Sequence, residues 1–212
     1  MALESGEIMK WVGSVLFWFG LLVTGSAEAA PVILVLGDSL SAGYGLSASQ
    51  SWPSLLQKRL TTERKNYFVV NASISGETSA GGLSRLPIAL TQHQPAIVII
   101  ELGANDGLRG LAVQDMQKNL NRMVALAKQH HAKVLLIGVR LPPNYGMDYT
   151  QKFQQVFVAV AHLQKVAFLP SLLNGIESNP ALFQADGFHP IASAEVTVLD
   201  TVWNALLPLL KH

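Results

Sequence analysis

Short runs of unbroken apolar residues alternate along this chain with longer segments in which apolar positions recur every three or four residues. Val32 to Leu36 is the first such run. A strand covered on both faces reads this way, whereas a half-exposed strand alternates apolar and polar. Ser51 to Glu63 follows with Trp52, Leu55, Leu56 and Leu60 at helical spacing, and Pro53 suits a first turn. Tyr67 to Val70 predicts a second strand and Ala96 to Leu102 a third. Between them, residues 79 to 93 predict a helix whose pattern Gly81, Gly82 and Pro87 interrupt. Val113 to His130 sets Met116, Leu120, Met123, Val124 and Ala127 on one helical face, and Lys133 to Val139 gives a fourth strand. Leu141 to Gly146 holds two prolines and reads as a loop, before a helix near Tyr149 to His162 and a short strand from Val166 to Leu169. Leu172 to Phe183 is irregular or weakly helical. Residues 191 to 210 predict a closing helix that buries Val196, Leu199, Val202, Trp203, Leu206 and Leu207. The alternation predicts an α/β protein, a three-layer α/β/α sandwich around five mostly parallel strands.

Ligand sites in open parallel sheets gather at the carboxyl ends of the strands, so the segments just past those ends are the ones to read for chemistry. The first strand stops at Gly37 and delivers Asp38 and Ser39 into a glycine-rich turn. The second runs into Asn71-Ala72-Ser73-Ile74-Ser75-Gly76-Glu77-Thr78, and the third into Gly103-Ala104-Asn105-Asp106-Gly107. A serine becomes a nucleophile only when a base takes its proton, and acyl transfer also needs donors for the oxyanion. His189 stands three residues after Asp186 with Gly187 between them, so one ring nitrogen can meet the carboxylate while the other faces outward. The same residues also read as a surface turn with a capping aspartate. Asn105 offers a neutral amide donor and Gly76 a backbone N–H open to close approach, although Asn-Asp-Gly and Ser-Gly are ordinary turn sequences too. Asp38 reads as a turn carboxylate that accepts from backbone amides. His93, His130, His131 and His162 fall at helix ends and His212 at the terminus, without metal-ligand spacing, so no metal site is expected.

Composition narrows the picture. The 212 residues suit one well-buried domain, and a net charge of +1 with no basic, aromatic-interleaved cluster argues against a nucleic-acid partner. There is no cysteine, which removes disulfides, thiolate ligands, a cysteine nucleophile and a cysteine-linked lipid anchor. Met9-Lys10, the apolar stretch Trp11 to Val23 and the small residues up to Ala30 predict an export signal. The expected division is a signal peptide at residues 1–29, with Met9 as an alternative start, and a single domain at residues 30–212. The apolar stretch is short for a membrane span, so no stable span is expected after cleavage; an uncleaved anchor is the alternative.

Four segments taken together resemble, in order, the blocks of the SGNH (GDSL) hydrolase superfamily: Gly37-Asp38-Ser39-Leu40-Ser41, Asn71 to Thr78, Gly103 to Gly110, and Asp186-Gly187-Phe188-His189-Pro190. Within it the chain is most similar to the bacterial periplasmic thioesterase I/protease I/lysophospholipase L1 group and its arylesterase relatives. The resemblance implies a flavodoxin-like sandwich, with Ser39 as nucleophile, His189 as base and then acid, and Asp186 as the orienting carboxylate. It also implies an oxyanion hole made of the Ser39 and Gly76 N–H groups and the Asn105 amide. Ala104 stands where close relatives usually carry glycine, Ile191-Ala192 replaces a more polar continuation, and Glu77 takes the place of an aspartate and is expected to be equally solvated. The expected function is a serine hydrolase that cleaves fatty acyl, aryl, lysophospholipid or thioester substrates through an acyl-enzyme, without metal or cofactor. A short-chain or carbohydrate acetyl esterase, and a non-catalytic binding module, are the alternatives. The expected acyl groove is lined by Ile74, Leu83, Leu108, Leu111, Pro142, Tyr145, Phe183 and Phe188. A monomer in the periplasm or secreted is expected.

Overall fold

Five strands form one sheet in the order β2-β1-β3-β4-β5: β1 (Val32–Gly37), β2 (Phe68–Asn71), β3 (Ile97–Glu101), β4 (Lys133–Ile137) and β5 (Ala167–Leu169). They are seen in a computed structural model that describes residues 29–210. The expected signal segment therefore lies outside the described residues apart from Ala29, as does His212. All four strand pairings are parallel. Parallel neighbours need long crossovers, and the apolar strands ask for cover on both faces; the intervening helices supply both.

The helices are α1 (Ser39–Ala42), α2 (Trp52–Thr62), α3 (Ser79–His93), α4 (Ala104–Leu108), α5 (Val113–Gln129), α6 (Met147–Gln164) and α7 (Glu195–Leu206). α2 packs against α7, while α3 and α6 flank α5, giving the two outer layers. Every residue of β3 is buried between them, Glu101 included. Strand order reverses between β1 and β3, and a crevice at such a switch point is where this architecture places its ligands. Among the described residues no helix is long and apolar enough to cross a membrane.

Several expectations change. α3 runs unbroken through Gly81, Gly82 and Pro87. Its buried face of Leu86 and Leu90 holds it, Pro87 points to solvent, and Thr78 caps its start by accepting from the Gly81 N–H at 3.3 Å. The closing helix begins at Glu195 and ends at Leu206, where Pro208 leaves only a 3-10 turn, Leu207–Leu209. Its buried stripe keeps Leu199, Val202, Trp203 and Leu206 but takes Val198, whereas Val196 and Leu207 are 54% and 40% exposed. Val196 and Val198 lie about 200° apart around a helix, so a helix that buries Val198 must expose Val196.

Glu195 opens α7 in a buried position and accepts from the Trp52 N–H at 2.6 Å, satisfying an orphan donor at the start of α2 from the far end of the chain. Burial pushes its carboxyl from 4.5 up to about 7, against the Trp52 N–H, which favours the anion. The folded protein therefore holds a proton that the unfolded chain releases, and stability falls as pH rises from about 4.5 through 7. Glu195→Gln keeps an acceptor without the charge. It is expected to match the parent in thermal unfolding at pH 5 and to exceed it at pH 8 by about 5 °C, from ~2 kcal/mol.

Candidate active site

β1 ends at Gly37, and the chain turns at once into the single-turn helix α1. The turn fits only because residue 37 has no side chain: a Cβ there would sit 2.7 Å from the Ser41 side chain and 2.8 Å from Glu101 Oε2. Asp38 is fully buried and caps α1 by accepting from the Leu40 N–H at 3.0 Å. Ser39 is the first residue of that turn, held from below by packed strand and half open above.

His189 reaches Ser39 from the other end of the chain. A bridge pairs Phe183 with Pro190, and Gln184 closes the loop between them by donating its N–H to the His189 carbonyl at 2.7 Å. The Gln184 side chain amide donates to the Pro190 carbonyl at 3.0 Å and to the Tyr44 carbonyl at 2.7 Å, tying the histidine loop to the serine turn. Asp186 Oδ1 accepts from the Phe188 and His189 N–H groups at 2.9 and 3.1 Å, and Oδ2 lies 2.7 Å from His189 Nδ1. Desolvation pushes the Asp186 carboxyl up, but the Phe188 N–H and the bonds to His189 outweigh it and hold the group at about 2. An ionised Asp186 accepts only, so Nδ1 carries the proton. Nε2 then turns its lone pair to Ser39 Oγ at 2.8 Å, and the Tyr44 ring lies 4.5 Å from the imidazole. A serine hydrogen-bonded to such a base has the geometry for nucleophilic attack.

Asn105 lies in α4, just past β3, beside the serine turn. Its amide donates to Asp38 Oδ2 at 3.2 Å and to the Glu77 carbonyl at 3.0 Å. The next residue, Asp106, is buried and receives the Ser79 N–H and hydroxyl at 2.8 and 2.5 Å, which anchors α4 to the start of α3. Gly76 sits across from Asn105 at φ +79°, in a turn closed by the Glu77 N–H to the Ile74 carbonyl at 3.1 Å. A positive φ there favours glycine.

Beneath the serine turn lie two acids. Burial pushes Asp38 up to about 6, opposed by the Leu40 N–H, His189 and Asn105 and reinforced by Asp106. Burial, and then Asp38, push Glu101 well above the usual carboxylate range. Glu101 Oε2 accepts the Ser41 hydroxyl at 2.7 Å and faces the Asp38 N–H at 3.4 Å.

A cavity of about 170 Å³ opens beside Ser39, with Leu40, Ala104, Leu108, Val139, Leu141 and Leu173 among its walls and Phe188 next to His189. A second depression of about 370 Å³ continues it past Arg140, Leu141, Leu173 and Phe188 to Pro142, Phe183 and Glu177. Of the expected groove residues, Leu108, Pro142, Phe183 and Phe188 line these two spaces. Ile74, Leu83, Leu111 and Tyr145 line neither: Ile74 and Leu111 are exposed, Leu83 packs on the core, and the Tyr145 hydroxyl donates to the Leu108 carbonyl. Glu77 is also not solvated as expected. Its carboxylate pairs with Arg85 at 2.7 Å and is 14% exposed.

The chain matches the profile of the "GDSL-like Lipase/Acylhydrolase family" over residues 35–194. It is 52% identical over 190 residues to "Esterase TesA" of Pseudomonas aeruginosa, covering 90% of this chain and 94% of that one. It is 43% identical over 196 residues to "Thioesterase 1/protease 1/lysophospholipase L1" of Escherichia coli, covering 92% and 93%. Among solved structures, the psychrotrophic esterase EstA from Pseudoalteromonas sp., inhibited by monoethylphosphonate, superposes with a TM-score of 0.81 at 38% identity, covering 84% of this chain and 97% of that one.

Proposed function

The chain belongs to the GDSL-like lipase/acylhydrolase family and is a serine-type esterase and thioesterase, and from that premise we propose that Ser39 is its nucleophile, His189 its base and then acid, and Asp186 the carboxylate that orients the imidazole. The observation that carries the reading is the continuous line from Asp186 through His189 to Ser39 Oγ, with contacts of 2.7 and 2.8 Å. Ser39 Oγ attacks the ester or thioester carbonyl as its proton passes to His189 Nε2. The oxyanion gathers the Ser39 N–H, the Gly76 N–H and the Asn105 amide hydrogen that leaves Asp38 Oδ2, the longer of its two bonds at 3.2 Å. The alcohol or thiol leaves with the proton from His189, and water repeats the sequence on the acyl-enzyme. Asp186, held ionised at about 2, stays a carboxylate throughout and stabilises the imidazolium that forms.

The acyl group enters the cavity beside Ser39, and a longer chain continues along the second depression. Fatty acyl and aryl esters, acyl thioesters and lysophospholipids all present that chemistry. The acting form is the single domain of residues 30–212, a monomer freed of its signal segment and exported to the periplasm or beyond. An alkyl phosphonate ester is the direct probe: one adduct per chain on Ser39 is expected, and a folded protein that takes none there overturns the assignment. A series of p-nitrophenyl esters tests the acyl site. Each methylene that enters the cavities is worth ~0.8 kcal/mol, so kcat/KM is expected to rise by up to about four-fold per methylene until the apolar walls end. A sharp preference for acetyl would favour the short-chain esterase alternative.

A further inference from the structure

The loop that carries Gly76 is tied down by side chains from two helices. On its flanks, Arg85 of α3 donates to the Ala72 carbonyl at 2.5 Å and to Glu77 at 2.7 Å, and Asn105 donates to the Glu77 carbonyl at 3.0 Å. The Ile74 N–H is bound to the Gly37 carbonyl at 3.1 Å. Between these anchors Ser75 and Gly76 are exposed, and a glycine has no side chain to pack. The turn bond from the Glu77 N–H to the Ile74 carbonyl spans both, and the Gly76 carbonyl itself is held by the guanidinium of Arg109, whose Nη2 donates to it at 2.8 Å.

Arg109 is also the residue that closes α4, and its N–H donates to the carbonyl of Asn105 at 3.2 Å. One residue thus touches both segments that carry the oxyanion donors outside the serine turn. A hydrogen bond from a charged donor is stronger and more directional than a neutral one. Arg109 is exposed, and among the described residues it makes no ion pair that competes with its bond to the Gly76 carbonyl. With its carbonyl released, a glycine within that turn can still change its peptide orientation more readily than any other residue, and a misoriented donor stabilises less of the charge that develops in the transition state.

We propose that Arg109 is a positioning residue, which fixes the spacing between Gly76 and Asn105 by clamping the Gly76 carbonyl to the end of α4. The proposal rests on the reading of these two residues as oxyanion donors. Removing the clamp leaves both flanks of the loop anchored, so the fold stays while the donor wanders.

The test compares the full-length protein with Arg109→Met, Arg109→Lys, Arg109→Ala and Asn105→Ala on one aryl ester. Arg109→Met is expected to lose about 10- to 100-fold in kcat with KM within about two-fold, and to lose affinity for a boronate transition-state analogue in the same proportion. Arg109→Lys should fall between Arg109→Met and the parent. Guanidinium ion at millimolar concentration should restore part of the kcat of Arg109→Ala and none to the parent. An unchanged kcat in Arg109→Met beside a large loss in Asn105→Ala would overturn the clamp and leave the oxyanion assignment standing. An unchanged Asn105→Ala would instead overturn the assignment itself. If Arg109→Met does not fold, a fully active Arg109→Lys combined with an Arg109→Ala that guanidinium fails to rescue overturns the proposal.

Discussion

Ser39→Ala is expected to fold like the parent and to hydrolyse an aryl ester about 10⁴- to 10⁶-fold more slowly. The two halves of that expectation have separate physical sources. Ser39 Oγ bonds to His189 at the rim of the site, and the turn beneath it is held by Asp38, Ser41 and Glu101 through other atoms. Losing one half-open hydrogen bond costs ~1 kcal/mol, so the thermal midpoint should move by a few degrees at most. The rate loss follows because His189 keeps its orientation through Asp186 but no longer faces an attacking oxygen. Thermal unfolding and kcat measured on the same preparation separate the two. A variant retaining more than about one per cent of parental kcat would show that acyl transfer does not run through this hydroxyl.

Asn105→Ala should lower kcat by about 10²- to 10³-fold while KM moves little, because the lost donor serves the charged transition state more than the neutral substrate. Its two amide hydrogens rest on Asp38 Oδ2 at 3.2 Å and the Glu77 carbonyl at 3.0 Å, so one of these bonds, the longer one to Asp38 first, must be given up to the oxyanion while the other keeps the amide in place. The isosteric Asn105→Asp sharpens the test. A carboxylate cannot donate, and it would stand against Asp38 and near Asp106, so it should be at least as slow as the alanine variant despite its shape. An aspartate variant near parental rate would remove the amide from the mechanism.

Legibility in the sequence followed the range of the interactions. β1 and β3 are legible because a strand buried on both faces reads as a nearly unbroken apolar run, with Glu101 at the end of β3 as its one polar position. Ser39, Gly76 and Asn105 are marked by their place past the ends of β1, β2 and β3, Asp186 and His189 by their three-residue spacing, and all five as a set by the resemblance of their four segments, in order, to the SGNH blocks. The supporting contacts were not legible. Asp38 meets Asn105 across 67 positions, Glu101 meets Ser41 across 60, and Gln184 meets the Tyr44 carbonyl across 140. No local pattern marks such pairs. α1 and α4 are four and five residues long, too short to show a helical period. The walls of the cavity beside Ser39 are hidden for a related reason: Leu40, Val139, Leu141 and Leu173 carry no sign that separates a cavity wall from core, while the exposed Ile74 and Leu111 lie in loops near the strand ends without lining it.

The bridge that Gln184 makes between the histidine loop and the serine turn also has a meaning in time. Ser39 and His189 are separated by 150 positions, and β2 to β5 all lie in the chain between them. Contacts of such long sequence separation close late, since the entropy of the loop is lost before the contact returns anything. A growing or refolding chain is therefore catalytically silent until its last segment docks. A chain whose residues 186–189 have not reached Ser39 lacks the base that the proposed mechanism needs, so turnover reports the completed site.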